Sequence, residues 1–181
     1  MRKPGVKIIA AAVTAAAFAA SGTAQAAAPC APVPTSYDSG GGALAGFPND
    51  PLFPHQWGLA QVKAPQAWAR GAQGSGATIA IVDSGIDLNH PDLSGKLVPG
   101  FDFASGASCA SGGQDRNGHG THVAGIAAAT TNNGIGVAGT APLAQIMPVR
   151  VLDEAGNGSS VDVSAGIKWA ADQGAQVVNL S

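Results

Sequence analysis

Beyond residue 46 the large apolar residues of this chain arrive in two rhythms. Thr78-Ile79-Ala80-Ile81-Val82 is an unbroken apolar run that stops at Asp83. It predicts a strand buried on both faces, because a strand with one wet face would alternate. Residues 146–152 and 176–180 repeat that pattern and predict two more strands. Between the first two, residues 120–129 carry Val123, Ala124, Ile126 and Ala127 among small residues, which predicts a tightly packed helix closed by the turn Asn132-Asn133-Gly134. Ser159-x-x-Asp162 reads as a helix cap with an acid in the first turn. Val163, Ile167, Ala170 and Ala171 follow at helical spacing, and Gly174 terminates the helix. Strand, helix, strand, helix, strand implies right-handed crossovers and an α/β fold, a parallel doubly wound sheet with helices on both faces.

The first 46 residues follow neither rhythm. Arg2, Lys3 and Lys7 precede an apolar stretch over residues 8–20, and Ala24-Gln25-Ala26 supplies a small-x-small cleavage site. Residues 1–26 therefore read as a secretory signal peptide, too short in its apolar part to span a bilayer. Residues 27–46 are Ala, Pro, Ser and Gly with almost no large apolar side chain, a linker that cannot offset its own ordering entropy. Residues 47–181 remain as one domain, opened by Phe47, Leu52, Phe53, Trp57, Leu59 and Trp68. Cys30 and Cys109 are the only two cysteines, and in an oxidising compartment a bond between them is open to the chain.

Charge narrows the functional classes. Without residues 1–26, six Lys and Arg stand against eleven Asp and Glu, a net charge of −5. The bases (Lys63, Arg70, Lys96, Arg116, Arg150, Lys168) are scattered, with no stripe to track a phosphate backbone, so nucleic-acid binding is excluded. A secreted, extracellular monomer that is free of the membrane after leader removal is expected.

In doubly wound sheets ligands bind beyond the carboxyl ends of the strands. Asp83 lies there, and a carboxylate after Ile-Ala-Ile-Val is costly to bury unless it is hydrogen-bonded or has a task. A plain turn-starting Asp before Ser84-Gly85 is the simpler account of that residue alone. Further on, Asn117-Gly118-His119-Gly120-Thr121-His122-Val123 opens the small-residue helix. Gly118 and Gly120 let backbone approach His119 closely, whereas His122 is assigned to packing. An Asp followed tens of residues later by such a His suggests a carboxylate that orients an imidazole used as general base and acid.

At this point the sequence resembles the subtilisin-like (subtilase) serine endopeptidases, in their thermitase-like branch. The resemblance runs from about residue 49 to residue 181 and rests on Ile81-Val82-Asp83-Ser84-Gly85-Ile86-Asp87, Asn89-His90-Pro91-Asp92-Leu93, Gly118-His119-Gly120-Thr121-His122-Val123-Ala124-Gly125, Gly139-Thr140-Ala141-Pro142 and Val149-Arg150-Val151-Leu152. It implies peptide-bond hydrolysis by an Asp/His/Ser triad, an order for which subtilisin itself is a standard example. Asp83 becomes the orienting carboxylate and His119 the base. Gly156, Asn157 and Gly158 become an edge against which an extended peptide pairs, and Ser181 starts a second edge. A structural calcium site is implied on Asp50, Asp102 and Asn133 with the carbonyls of Thr130, Ile135 and Val137, an all-oxygen shell suited to that cation. A weaker second site lies near Gln114 and Asp115, where residues 104–115 depart from the thermitase-like pattern.

Neither the family's Gly-Thr-Ser-x-Ala string nor an oxyanion Asn is found, and Ser159, Ser160, Ser164 and Ser181 lack the nucleophile's context. The expectation is a fragment of a secreted endopeptidase that is inactive by itself and whose last strand shows an unpaired apolar edge. Two other classes compete. One is a non-catalytic peptide-binding fragment, and the other a metal-dependent hydrolase using His119, His122 and Asp115.

Overall fold

The computed structural model of the chain describes residues 7–10, 47–106 and 112–181. The rest of the leader, the linker 27–46 and both cysteines lie outside the described residues. Five parallel strands form one sheet: β1 (Lys7–Ala10), β2 (Thr78–Asp83), β3 (Phe101–Asp102), β4 (Gln145–Arg150) and β5 (Val177–Leu180), in the spatial order β1-β5-β2-β4-β3. Helices α3 (His119–Ala128) and α4 (Ser160–Asp172) are the two crossovers expected from the apolar rhythm, and the short α1 (Trp57–Gln61) and α2 (Ala64–Trp68) precede β2.

The unbroken apolar runs divide between two cores with period two, as a strand's alternating side chains require. Ala80 and Val82 of β2, with Met147 and Val149 of β4 and Val178 of β5, pack on Phe101, Phe103, Trp169 and Ala170, the α4 side. Ile79, Ile81 and Ile146 point the other way onto Ala124 and Ala128 of α3. Small side chains on α3 let its axis come close to the sheet. Gly166 does the same for α4, where a Cβ would sit 2.7 Å from Val151 Cγ1.

The local signals act as expected on α4: the Ser159 hydroxyl accepts from Asp162 N–H at 3.0 Å, and Gly174 leaves the helix at φ +88°. Two strands had no sequence signal. β3 has two residues and is held by β4 in the register Phe101↔Val149. β1 falls inside the segment read as leader and pairs with β5, Lys7 opposite Val177 and Ala10 opposite Leu180. The expectation of an unpaired edge on β5 is therefore corrected: the chain's own apolar start satisfies the N–H and C=O groups of that edge. Cleavage after Ala26 would remove this cover.

Lys96 is a buried cation that has no carboxylate hydrogen-bond partner among the described residues, its ammonium donating to the Pro142 carbonyl. Burial pushes its pKa down from 10.5 to about 8. A lysine whose folded pKa is lowered releases its proton earlier than the unfolded chain does, so stability rises with pH between those two values and is flat below them. Urea unfolding at pH 7.5 and pH 10 is expected to show a gain of order 2–3 kcal/mol, from about 1.4 kcal/mol per pKa unit. In Lys96→Met this pH-dependent gain disappears.

Candidate active site

β2 ends at the carboxyl edge of the sheet, and Asp83, its last residue, is fully buried. A buried carboxylate must find donors. Oδ1 accepts from Ser84 N–H at 2.6 Å and from His119 Nδ1 at 2.8 Å, and Oδ2 lies 3.0 Å from the same ring nitrogen. With Nδ1–H donating to the carboxylate, His119 presents the lone pair of Nε2 on a ring that is 49% exposed. A base held from behind by a buried acid and open in front can take a proton from a reacting group and return it.

His119 is the first residue of α3, and close backbone approach puts it there. Gly118 stands before the helix at φ +102°, a conformation that favours glycine. A Cβ on Gly120 would lie 2.1 Å from the Gly85 carbonyl oxygen and 3.2 Å from Asp83 Oδ1. Of the two glycines expected to admit backbone, Gly120 does so at the junction between the exit of β2 and the start of α3, whereas nothing lies within 4 Å of a Cβ added to Gly118, whose part is its positive φ.

The Gly156-Asn157-Gly158 segment closes the tight turn that begins at Asp153. Asp153 Oδ1 accepts from Ala155 and Asn157 N–H, and Asp153 N–H donates to the Asn157 carbonyl at 2.7 Å. Asn117 Nδ2 donates to the Glu154 carbonyl and Arg116 pairs with Glu154, so this loop is tied to the entry of α3 two residues before His119. Ser181, after β5, approaches from the other side, its hydroxyl 3.5 Å from Asp83 Oδ2. Four separated stretches thus converge on the Asp83–His119 pair. Among the described residues no serine hydroxyl is hydrogen-bonded to the His119 ring.

The residues expected around calcium do not all meet. Asp50 is buried and accepts from the N–H groups of Asn132 and Asn133. Asp102 lies elsewhere: in β3 it is buried against Arg150, Oδ2 to Nη1 2.9 Å, and it also accepts from Ser105 N–H. An Arg pair already neutralises that carboxylate. The second acid at the loop is Asp92, whose Oδ1 accepts from Asn133 Nδ2 at 2.8 Å and Oδ2 from Val137 N–H at 2.9 Å. A Cβ on Gly136 would stand 2.1 Å from Asp92 Oδ2, so the loop closes on this carboxylate. In the sequence this residue stood only inside the string Asn89-His90-Pro91-Asp92-Leu93 that carries the family resemblance, with no ligand role assigned to it. Near the weaker second site, Gln114 Oε1 accepts from Leu88 N–H and the Asp115 carboxylate is filled by five donors. Among the described residues no three His, Cys, Asp or Glu side chains cluster as metal ligands, which leaves the His119, His122 and Asp115 metal reading without a centre.

The parallel α/β sheet thus carries, at its carboxyl edge, a buried Asp hydrogen-bonded to a half-exposed His. Residues 74–181 match the family described as the Subtilase family, and the chain belongs to it. It is 58% identical to "Thermitase" of Thermoactinomyces vulgaris over 135 residues, 74% of this chain and 47% of that protein. It is 46% identical to "Subtilisin Savinase" of Lederbergia lenta over 125 residues, 69% of this chain and 44% of that protein. Among solved structures, a protease from Pseudoalteromonas arctica superposes with a TM-score of 0.66 at 35% identity, covering 75% of this chain and 50% of that one. The chain spans about half the length of these relatives. No helix among the described residues is long and apolar enough to cross a membrane.

The junction makes a sharp expectation. Gly120→Ala forces backbone apart at Gly85, so chemical denaturation should show a loss of about 1–3 kcal/mol, the usual cost of overpacking. Gly125→Ala, where the nearest atom to an added Cβ is Val137 Cγ2 at 4.0 Å, should cost less than about 0.5 kcal/mol or stabilise the helix.

Proposed function

We infer that residues 47–181 serve peptide-bond hydrolysis in a secreted serine endopeptidase, with Asp83 as orienting acid and His119 as general base and acid. The observation that supports this reading is the bond from His119 Nδ1 to the buried Asp83 carboxylate, which fixes the tautomer that leaves Nε2 free to accept a proton. His119 takes the proton of an attacking serine, Asp83 stabilises the imidazolium so formed, and the ring then protonates the leaving amine. The residue 156–158 segment and Ser181 flank the pair as edges for an extended peptide, whose main-chain groups pair whatever its side chains. Residues 1–26 act as the leader and 27–46 as a linker.

The absence of a serine on the His119 ring among the described residues favours a second reading for residues 1–181 taken alone, a fragment that binds extended peptides without cutting them. Peptide hydrolysis measured on two chains separates these roles. Residues 27–181 alone are expected to cleave casein no faster than buffer. The same residues extended through the family's Gly-Thr-Ser-x-Ala string are expected to cleave it, and His119→Ala in that longer chain to lower kcat by about 10⁴–10⁶-fold, a magnitude taken from subtilisin knockouts. Hydrolysis that survives His119→Ala removes the general-base assignment.

A structural calcium ion fits the loop of residues 130–137. Asp50 and Asp92 are both buried there and receive only N–H donors, and an all-oxygen set of two carboxylates, the Asn133 amide and the carbonyls of Thr130, Ile135 and Val137 suits a hard cation. Bound calcium would offset the charge of two carboxylates held out of water and fasten residues 49–52 to the loop. Calcium at a hundredfold excess over its dissociation constant is expected to add about 2.7 kcal/mol by mass action, read as a rise in Tm that chelation reverses. Asp92→Asn should abolish that rise. Asp102→Asn should leave it intact while lowering the baseline Tm, because Arg150 loses its buried partner.

A further inference from the structure

One carboxylate beside the catalytic pair takes no part in the chemistry described above, yet it collects five hydrogen bonds. Asp115 Oδ1 accepts from the Ser84 hydroxyl and from the N–H groups of Asn117 and Gly118, and Oδ2 from the N–H and hydroxyl of Thr121. The donors belong to two different elements. Asn117, Gly118 and Thr121 form the entry and first turn of α3, whereas Ser84 is the residue after Asp83 at the exit of β2.

Each hydroxyl passes the constraint on. Ser84 Oγ accepts from Gly120 N–H at 3.0 Å, and Thr121 Oγ1 accepts from Asp87 N–H at 2.9 Å. Asp115 is itself held to the Asp83 side of the site, its N–H donating to the Ile86 carbonyl. The residues on both sides of His119 are therefore fixed by one carboxylate, Gly118 directly and Gly120 through Ser84, without any contact from Asp115 to the imidazole ring.

We propose that Asp115 is a positioning residue for the Asp83–His119 pair: its carboxylate locks the first turn of α3 to the exit of β2, so that His119 Nδ1 meets Asp83 at hydrogen-bond distance. Both oxygens are needed, because an amide in the same place would turn an NH₂ group toward donors. The negative charge also faces the N-terminus of a ten-residue helix, where it is favoured. Burial, the largest single influence, raises the Asp115 pKa, but the donors from Gly118, Thr121 and Asn117 together outweigh it and hold the carboxyl below its ordinary value.

The inference deepens the peptidase reading and rests on it, and its test reads geometry without requiring catalysis. In the ¹⁵N-labelled chain, the Nδ1 proton of His119 reports the bond to Asp83 by its downfield resonance and its exchange with water. Asp115→Asn is expected to speed that exchange about tenfold or more, from the loss of hydrogen bonds to a charged group, while tryptophan fluorescence still shows a cooperative melt. Should Asp115→Asn fail to fold, Ser84→Ala carries the test, since it removes the hydroxyl through which Asp115 reaches both β2 and Gly120 N–H and is expected to speed exchange in the same direction. An Nδ1 resonance at its original position and exchange rate in either folded variant overturns the proposal. In the longer, hydrolytic chain Asp115→Asn should lower kcat with little change in KM. If instead hydrolysis there survives His119→Ala, the peptidase reading fails and the Nδ1 result stands separately.

Discussion

The burial of the Asp83 carboxylate at the end of β2 constrains most of what surrounds it. A charge removed from water at the edge of an apolar strand must be met by donors in fixed positions. Here they are the N–H of the next residue and the imidazole at the start of α3. For His119 to reach that depth the helix must approach β2 almost backbone to backbone, which is why Gly120 lies against the Gly85 carbonyl where any side chain on it would collide. The residues after β4 share the constraint, since Val151 and Leu152 N–H both bond the Asp83 carbonyl. The pair therefore sits on two strands and a helix rather than on a mobile loop, the arrangement that preorganises a base.

The same solution recurs in the loops. Asp50, Asp92, Asp115 and Asp153 each gather backbone N–H groups that no helix or sheet ladder satisfies. In a chain with 26 glycines, many of its turns carry no side chain able to fix them, and a carboxylate accepting N–H groups supplies the missing specification. Asp50 and Asp92 converge on one loop, and among the described residues no basic side chain is bonded to either, whereas Asp102 has Arg150.

An apolar groove of about 1140 Å³ runs from α1 to α3, with Trp57 79% exposed and Ile126 49% exposed along it, and Gly118 and Thr121 at the end nearest His119.

Much of this was legible in the sequence because it is carried by neighbours in the chain. The apolar runs marked β2, β4 and β5 within a residue or two, Ser159 and Asp162 marked the start of α4, and Asp83 and His119 stood out through a buried acid and two flanking glycines. What the sequence could not show depends on partners far apart. Nothing local distinguishes Asp102 from Asp92: the first meets Arg150, 48 residues on, and the second meets Asn133, 41 residues on. β3 exists only because β4 holds it, and Lys7–Ala10 is a strand only because β5 offers an edge. Asp115 entered the sequence reading only as a candidate metal ligand until the fold brought Ser84 to it. Periodicity and capping are read over a few residues, so the sequence determined which elements form. The identity of each carboxylate's partner is set by how those elements pack, and only the tertiary structure decided it.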